Sequence, residues 1–195
     1  MRVVKVVRGN IAIAETDAIV NAANEHLAEG AGVCGAIFGE VLRRGGPGAH
    51  ARFTEACQTK GHCPTGDAVT TPSFALPAPH VIHAVGPVWR GRRYSADIHA
   101  LDPGEVSQLD LLASTYRAIF RECRNVGARS VTIPAISTGI YGLPKRFGHA
   151  VALMSADARG GDIHVELIAY DEASFTAMQR PVSDHVRELL APVAI

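Results

Sequence analysis

Short β-branched and apolar runs along this chain take turns with segments whose apolar residues recur at helical spacing. The runs predict strands over Val3 to Val7, Asp17 to Asn21, Asp67 to Thr71, His80 to Val85, Val131 to Ile136 and Val165 to Ala169. Lys5 interrupts the first, which therefore reads as an edge or half-exposed strand. Helical stripes appear at Ala36, Ile37, Phe38, Val41 and Leu42, along Leu109 to Cys123, and at Phe147, Ala150, Val151 and Met154. Gly45-Gly46-Pro47-Gly48 is expected to end the first helix and leave Ala49 to Cys57 as a separate one. Asp102-Pro103-Gly104-Glu105 combines a capping Asp, a Pro at the first position and a Glu at the third, so it opens a helix that Gly127 closes. Gly160-Gly161 ends the next helix, and the tail from Glu172 to Leu190 reads as helical with a break at Pro181. Gly86 to Asp102 is an irregular polar excursion, a kind of loop that in compact domains often carries function.

Strands alternating with helices argue for an α/β fold with helices on both faces of a sheet. The chain has 195 residues, fits a single domain over 1–195, and shows no internal repeat or linker. Equal numbers of basic and acidic residues, 19 of each, supply no bulk charge for binding nucleic acid or anionic membranes. The local basic cluster Arg90, Arg92 and Arg93 reads as a solvated loop. Cys34, Cys57, Cys63 and Cys123 form no CxxC pair and no metal-ligand spacing with histidine, so neither a disulfide framework nor a metal site is expected. No apolar run is long enough to span a bilayer and no signal segment is evident, so a cytoplasmic protein is expected.

The chemistry concentrates in two glycine-rich stretches. Ile133 to Ile136 ends in Ser137-Thr138-Gly139-Ile140-Tyr141-Gly142, ahead of an expected helix start at Leu143-Pro144-Lys145. A loop of this kind presents bare backbone N–H groups to an anion. Gly30-Ala31-Gly32-Val33-Cys34-Gly35 is the second, and two such loops suggest a ligand with two phosphates gripped from both sides. The second also spells G-x-G-x-x-G. In a dinucleotide-binding unit that motif follows a strand directly, whereas here Asn24 to Glu29 precede it, and the acid 20 residues on, Glu55, falls within a helix. A nicotinamide-dependent oxidoreductase is therefore the weakest reading.

Four segments in order carry a more specific resemblance: Gly9-Asn10-Ile11 leading to Asp17-Ala18-Ile19-Val20-Asn21-Ala22-Ala23-Asn24; the glycine loop with Ala36-Ile37; Cys63-Pro64-Thr65-Gly66-Asp67-Ala68; and Val81 to Pro87 with Pro134 to Gly142. Over roughly residues 1 to 170 the chain resembles a macrodomain, the family that binds ADP-ribose. The resemblance implies a three-layer α/β/α sandwich with a central mixed, mostly parallel sheet. It implies ADP-ribose as ligand, an ADP-ribosylated protein or ADP-ribosylated DNA as partner, no cofactor, and a monomer. Asn10 and Ile11 would meet the adenine, with the Asn10 amide where the family places an acid, and Tyr170 would lie on the base. Gly32, Val33 and Cys34 would take one side of the diphosphate, and Ser137, Thr138, Gly139, Ile140 and Tyr141 the other. Glycine serves there because a side chain would hold the backbone off the phosphate.

The resemblance also makes Asn24 the residue that orients the distal ribose and Tyr141 the residue that closes over the phosphate, while Asn21 would fix the loop backbone. It is nearest to MacroD-type ADP-ribosylhydrolases, with two departures: Cys34 and Phe38 stand where those enzymes carry an Asp and a His. Cys34 reads as a packing residue under the loop, since a free thiol is mostly protonated at neutral pH. With that acid gone, a diphosphate oxygen of the substrate could deprotonate the attacking water. His26, Glu29 and His83 are candidates for an extra polar group, His83 being the most core-like. The activity expected is removal of single ADP-ribose units from modified macromolecules. A non-catalytic ADP-ribose reader and an O-acetyl-ADP-ribose deacetylase are the alternatives.

Overall fold

A computed structural model of the chain describes residues 4–92 and 100–195. Val3, the start of the first expected strand, and Arg93 lie outside the described residues. The strands are β1 (Val4–Arg8), β2 (Ala18–Ala22), β3 (Ala68–Pro72), β4 (His80–Ala84), β5 (Ser130–Pro134) and β6 (His164–Ala169). They form one sheet in the order β1-β6-β5-β2-β4-β3. All neighbours pair in parallel except β3, which runs antiparallel to β4 at the far edge. β1 occupies the opposite edge, as the interruption at Lys5 suggests.

Parallel strands covered on both faces bury side chains in alternation. Ala18, Val20, Ile82, Val131, Ile133, Val165 and Leu167 face one core, while Ile19, Val81 and Ile168 face the other. The helices are α1 (Val33–Lys60), α2 (Pro103–Asn125), α3 (Lys145–Arg159), α4 (Glu172–Gln179) and α5 (Asp184–Leu189). α2 and α3, with Met178 of α4 and Leu189 of α5, fill the first core. α1 fills the second through Ile37, Phe38, Val41, Phe53 and Cys57. Three layers result, a mixed and mostly parallel sheet between helices.

The break expected at Gly45 to Gly48 is present: Gly46, at φ 68 and ψ −175, leaves the helical backbone, so α1 is two helical segments joined at a kink, and Pro47 opens the second toward Lys60. Pro tolerates this position because the first turn of a helix does not need its N–H. One boundary differs from the sequence expectation: the first helix begins earlier, at Val33, so the last half of the first glycine stretch is already helical.

Candidate functional site

Because five of the strands run parallel, their carboxyl ends lie along one edge of the sheet, where ligands of open α/β sheets bind. A cavity of about 630 Å³ opens there. Gly9 to Ile11 after β1, Ala22 to Asn24 after β2, Ala84 and Gly86 at the end of β4, Pro134 to Ser137 after β5, and Ile168 and Tyr170 at the end of β6 all line it. The volume is that of a site for a small molecule or cofactor.

Asn24 organises the turn that leads to the first glycine stretch. Its Oδ1 accepts from the His26 and Ala28 N–H groups, both at 3.1 Å, and its Nδ2 donates to the Ala28 carbonyl at 2.9 Å. The stretch ends at Gly32, whose φ of 64 and ψ of −132 precede the helix. The Ala36 N–H bonds to the Gly32 carbonyl at 3.0 Å, so the N–H groups of Val33, Cys34 and Gly35 are the ones with no carbonyl a turn behind them. Val33 and Cys34 therefore serve as a helix N-terminus rather than as a loop, an arrangement suited to an anion.

The second stretch is a closed turn. Thr138 N–H points back to Ala135 O at 3.4 Å, Gly142 N–H to Gly139 O at 2.9 Å and Leu143 N–H to Ser137 O at 3.0 Å. The N–H groups of Gly139, Ile140 and Tyr141 are left without a backbone partner among the described residues. Ser137 adopts φ 65, and its buried Oγ has no hydrogen-bond partner. The two stretches meet across the cavity: a β-carbon on Gly32 would stand 4.0 Å from Ile140 Cδ1.

Not every expected site residue lies here. Asn21 does not touch the cavity or fix a loop backbone. It is buried beneath, its Nδ2 3.6 Å from Cys34 Sγ and 3.1 Å from His83 Nδ1, because its odd register in β2 turns it into the α1 core. Thr138 also stays off the cavity, its hydroxyl donating to the Ala135 carbonyl at 2.8 Å. Asn10 lines it, but its Oδ1 already accepts from Ala12 N–H at 3.0 Å as the cap of a 3-10 turn (Ile11–Ile13). Tyr170 stands at the same end, 86% exposed. Gly9, Gly86 and Ile168 line the site without being expected to; their signal was position, each at or just past a strand end.

The lining is nearly free of charge. Among the described lining residues only Cys34, Tyr141 and Tyr170 can titrate. Burial pushes the Cys34 thiol up. Burial, and then the nearby Glu25 carboxylate, push the Tyr141 phenol up. The three candidates for an extra polar group all lie elsewhere. His26 packs edge-on against His62 with ring centres 6.1 Å apart, and Glu29 faces His50 at 3.2 Å. His83 is fully buried, with Nε2 2.9 Å from Thr71 Oγ1. Of the basic cluster, Arg92 is not solvated alone but paired with Glu105 at 2.7 Å, and Arg90 is exposed.

Comparison with known proteins agrees with this geometry. A family model described as Macro domain matches residues 20–152. A Cronobacter sakazakii protein named O-acetyl-ADP-ribose deacetylase is 38% identical over 181 residues, covering 91% of this chain and 92% of its own. A glycine-to-valine variant of the Oceanobacillus iheyensis macrodomain with ADPR superimposes at a TM-score of 0.73 and 29% identity, over 95% of this chain and 92% of that one. A Trypanosoma brucei macrodomain in complex with ADP-ribose gives 0.71 and 30%, over 90% and 67%.

Proposed function

This chain belongs to the macro domain family, and from that premise we propose that its cavity binds ADP-ribose and that it hydrolyses single ADP-ribose units from modified macromolecules. The observation that carries the reading is the meeting of two sets of free backbone N–H groups, at Val33 and Cys34 and at Gly139 to Tyr141, across one cavity. Uncharged donors aimed from both sides hold a diphosphate without a Lys or Arg, and their fixed backbone positions spare the cost of reorganising them around the ligand.

With no carboxylate or imidazole among the lining residues, the protein brings no general base to the water. A diphosphate oxygen of the substrate takes its place. The water oxygen bonds to the anomeric carbon of the distal ribose, the bond from that carbon to the acceptor breaks with its electrons leaving on the acceptor, and a water proton passes to the phosphate oxygen. A carboxylate acceptor departs without being protonated; an amine or hydroxyl needs a proton that this cavity does not offer. ADP-ribose esterified to acidic side chains is therefore the favoured substrate. Asn24 holds the turn beside the distal ribose, and Tyr141 closes over the phosphate edge.

The same lack of charged groups, with Cys34 protonated, favours a second reading, a binding module that recognises ADP-ribose without turnover. The deacetylase named among the relatives favours O-acetyl-ADP-ribose as a further substrate, which the same loss of a carboxylate cleaves where the acetyl group sits on the anomeric oxygen. Incubation with protein ADP-ribosylated on acidic residues, with ADP-ribosylated DNA and with O-acetyl-ADP-ribose separates these. Free ADP-ribose from the first supports the proposal; tight binding with no release from any of them establishes the binding module.

A further inference from the structure

The second glycine loop is supported from outside by the segment that leaves β4. At its start, Gly86 presses on Ser137 so closely that a β-carbon would lie 2.3 Å from Ser137 Oγ. Three residues on, the Trp89 N–H donates to the Tyr141 carbonyl at 2.8 Å. The segment thus brackets the loop at both Ser137 and Tyr141, two residues that line the cavity.

Its far end is fastened to the start of α2. The Arg92 N–H donates to Glu105 Oε1 at 3.0 Å, Arg92 Nε to the same oxygen at 3.1 Å, and the Arg92 NH2 group to Glu105 Oε2 at 2.7 Å. Glu105 is 1% exposed and also accepts from the Asp102 N–H at 3.0 Å, closing the capping box of α2. The Trp89 indole N–H donates to the Arg92 carbonyl at 3.2 Å. Gly91 sits in the fold of this turn, where a β-carbon would fall 2.5 Å from Trp89 Cζ2 and 2.8 Å from Glu105 Cγ. A continuous line of contacts therefore runs from the rigid first turn of α2 through Glu105, Arg92 and Trp89 to the Tyr141 peptide.

We propose that Arg92 and Glu105 are positioning residues for the ligand: their ion pair pins the segment 86–92 and so sets where the Tyr141 peptide and side chain stand over the cavity. The proposal rests on the reading of that cavity as the ADP-ribose site. It gives a buried carboxylate far from the ligand a task that helix capping alone does not require, since a cap needs no arginine. A bidentate pair fixes direction as well as distance, which a lysine cannot reproduce.

Trp89 is the single tryptophan of the chain, so its emission reports this segment directly. Arg92→Ala and Arg92→Lys are compared with the unaltered protein by Trp89 emission without ligand and by titration calorimetry with ADP-ribose. Arg92→Ala is expected to shift the unliganded emission and to weaken ADP-ribose binding about tenfold, with Arg92→Lys between the two. Emission or affinity unchanged in Arg92→Ala overturns the proposal; so does a loss of affinity that Arg92→Lys shares in full while its emission stays that of the unaltered protein. Failure of the unaltered protein to bind ADP-ribose overturns the functional reading instead. The tether is then judged on the unliganded emission alone, which an absent tether leaves unmoved.

Discussion

Gly35 packs so closely on Gly30 that a β-carbon on Gly35 would sit 2.6 Å from the Gly30 carbonyl oxygen. The atom in the way is backbone, so nothing flexible can yield. The first turn of α1 and the loop before it are thus folded onto each other, and that contact holds the N–H groups of Val33 and Cys34 toward the cavity. Gly35→Ala is expected to push the loop outward, costing about 1–3 kcal/mol of stability and at least about tenfold in ADP-ribose affinity. Gly39→Ala is the control on the same helix: nothing lies within 4 Å of its added carbon, and it should stabilise by roughly 0.5–1 kcal/mol with affinity intact. Thermal unfolding and calorimetry on the two variants check both expectations, and equal behaviour would refute the contact as the reason for glycine.

Asn24 spends three hydrogen bonds on the turn that carries it. Its hold on the distal ribose is therefore exerted through the shape of that turn and through the remaining amide hydrogen. Asn24→Ala should remove most ADP-ribose release while leaving ADP-ribose affinity within about tenfold, a change of no more than ~1.4 kcal/mol. The lost bonds should lower stability by about 1–3 kcal/mol, seen as a fall of several degrees in the unfolding midpoint. Full turnover by the variant would show that Asn24 has no part in the reaction.

The sheet and its helices could be read from the chain because strand and helix periods switch cleanly; Ala18 to Val20 carries apolar residues on both faces, as a covered parallel strand does. The cavity could be read because glycines mark close backbone approach. Two kinds of fact stayed hidden. The direction of Asn21 was one, because one step of register in β2 separates the cavity from the core. Arg92 looked like solvent-facing charge because its partner, Glu105, lies 13 residues on and is brought to it by α2.

All four cysteines are buried, and burial pushes each thiol up, Cys57 and Cys123 to about 12 and Cys63 to about 11. Thiolate is the reactive form, so none should react at neutral pH in the folded protein. A chromogenic disulfide reagent at pH 7.5 is expected to titrate no thiol in the native state and all four in denaturant. ADP-ribose release should survive alkylating agents. Rapid native labelling of Cys34 would reverse its assignment as a packing residue and reopen it as a nucleophile.

His83 and Glu105 make stability depend on pH in two separate windows. His83 is enclosed by Asn21, Thr71, Cys57 and the Phe53 ring, and burial, with the charge of Lys60, lowers its pKa from 6.5 to about 3. Below about pH 6.5 the unfolded chain takes a proton that the folded one refuses, so stability falls as pH drops toward 3. Glu105 is held down from 4.5 to about 2, first by Arg92, and Glu40 likewise by Arg43 and Arg44. Their contribution is complete above about pH 4.5 and is lost as pH falls through 2. Stability should therefore be level only between about pH 7 and 8, fall above that as the unfolded chain loses thiol protons that the folded one keeps, decline toward pH 4.5 by up to about 1.4 kcal/mol per pH unit from His83 with a further part from His149, whose pKa burial also lowers, and steepen below. His83→Gln keeps polar atoms in the space but cannot titrate; it should cost about 1–3 kcal/mol at pH 7 and reduce the slope of the upper window to what His149 contributes, while leaving the lower one in place. Denaturant unfolding of both proteins at pH 7, 6, 5 and 3.5 measures this, and parallel curves between pH 7 and 5 would rule out a neutral buried imidazole.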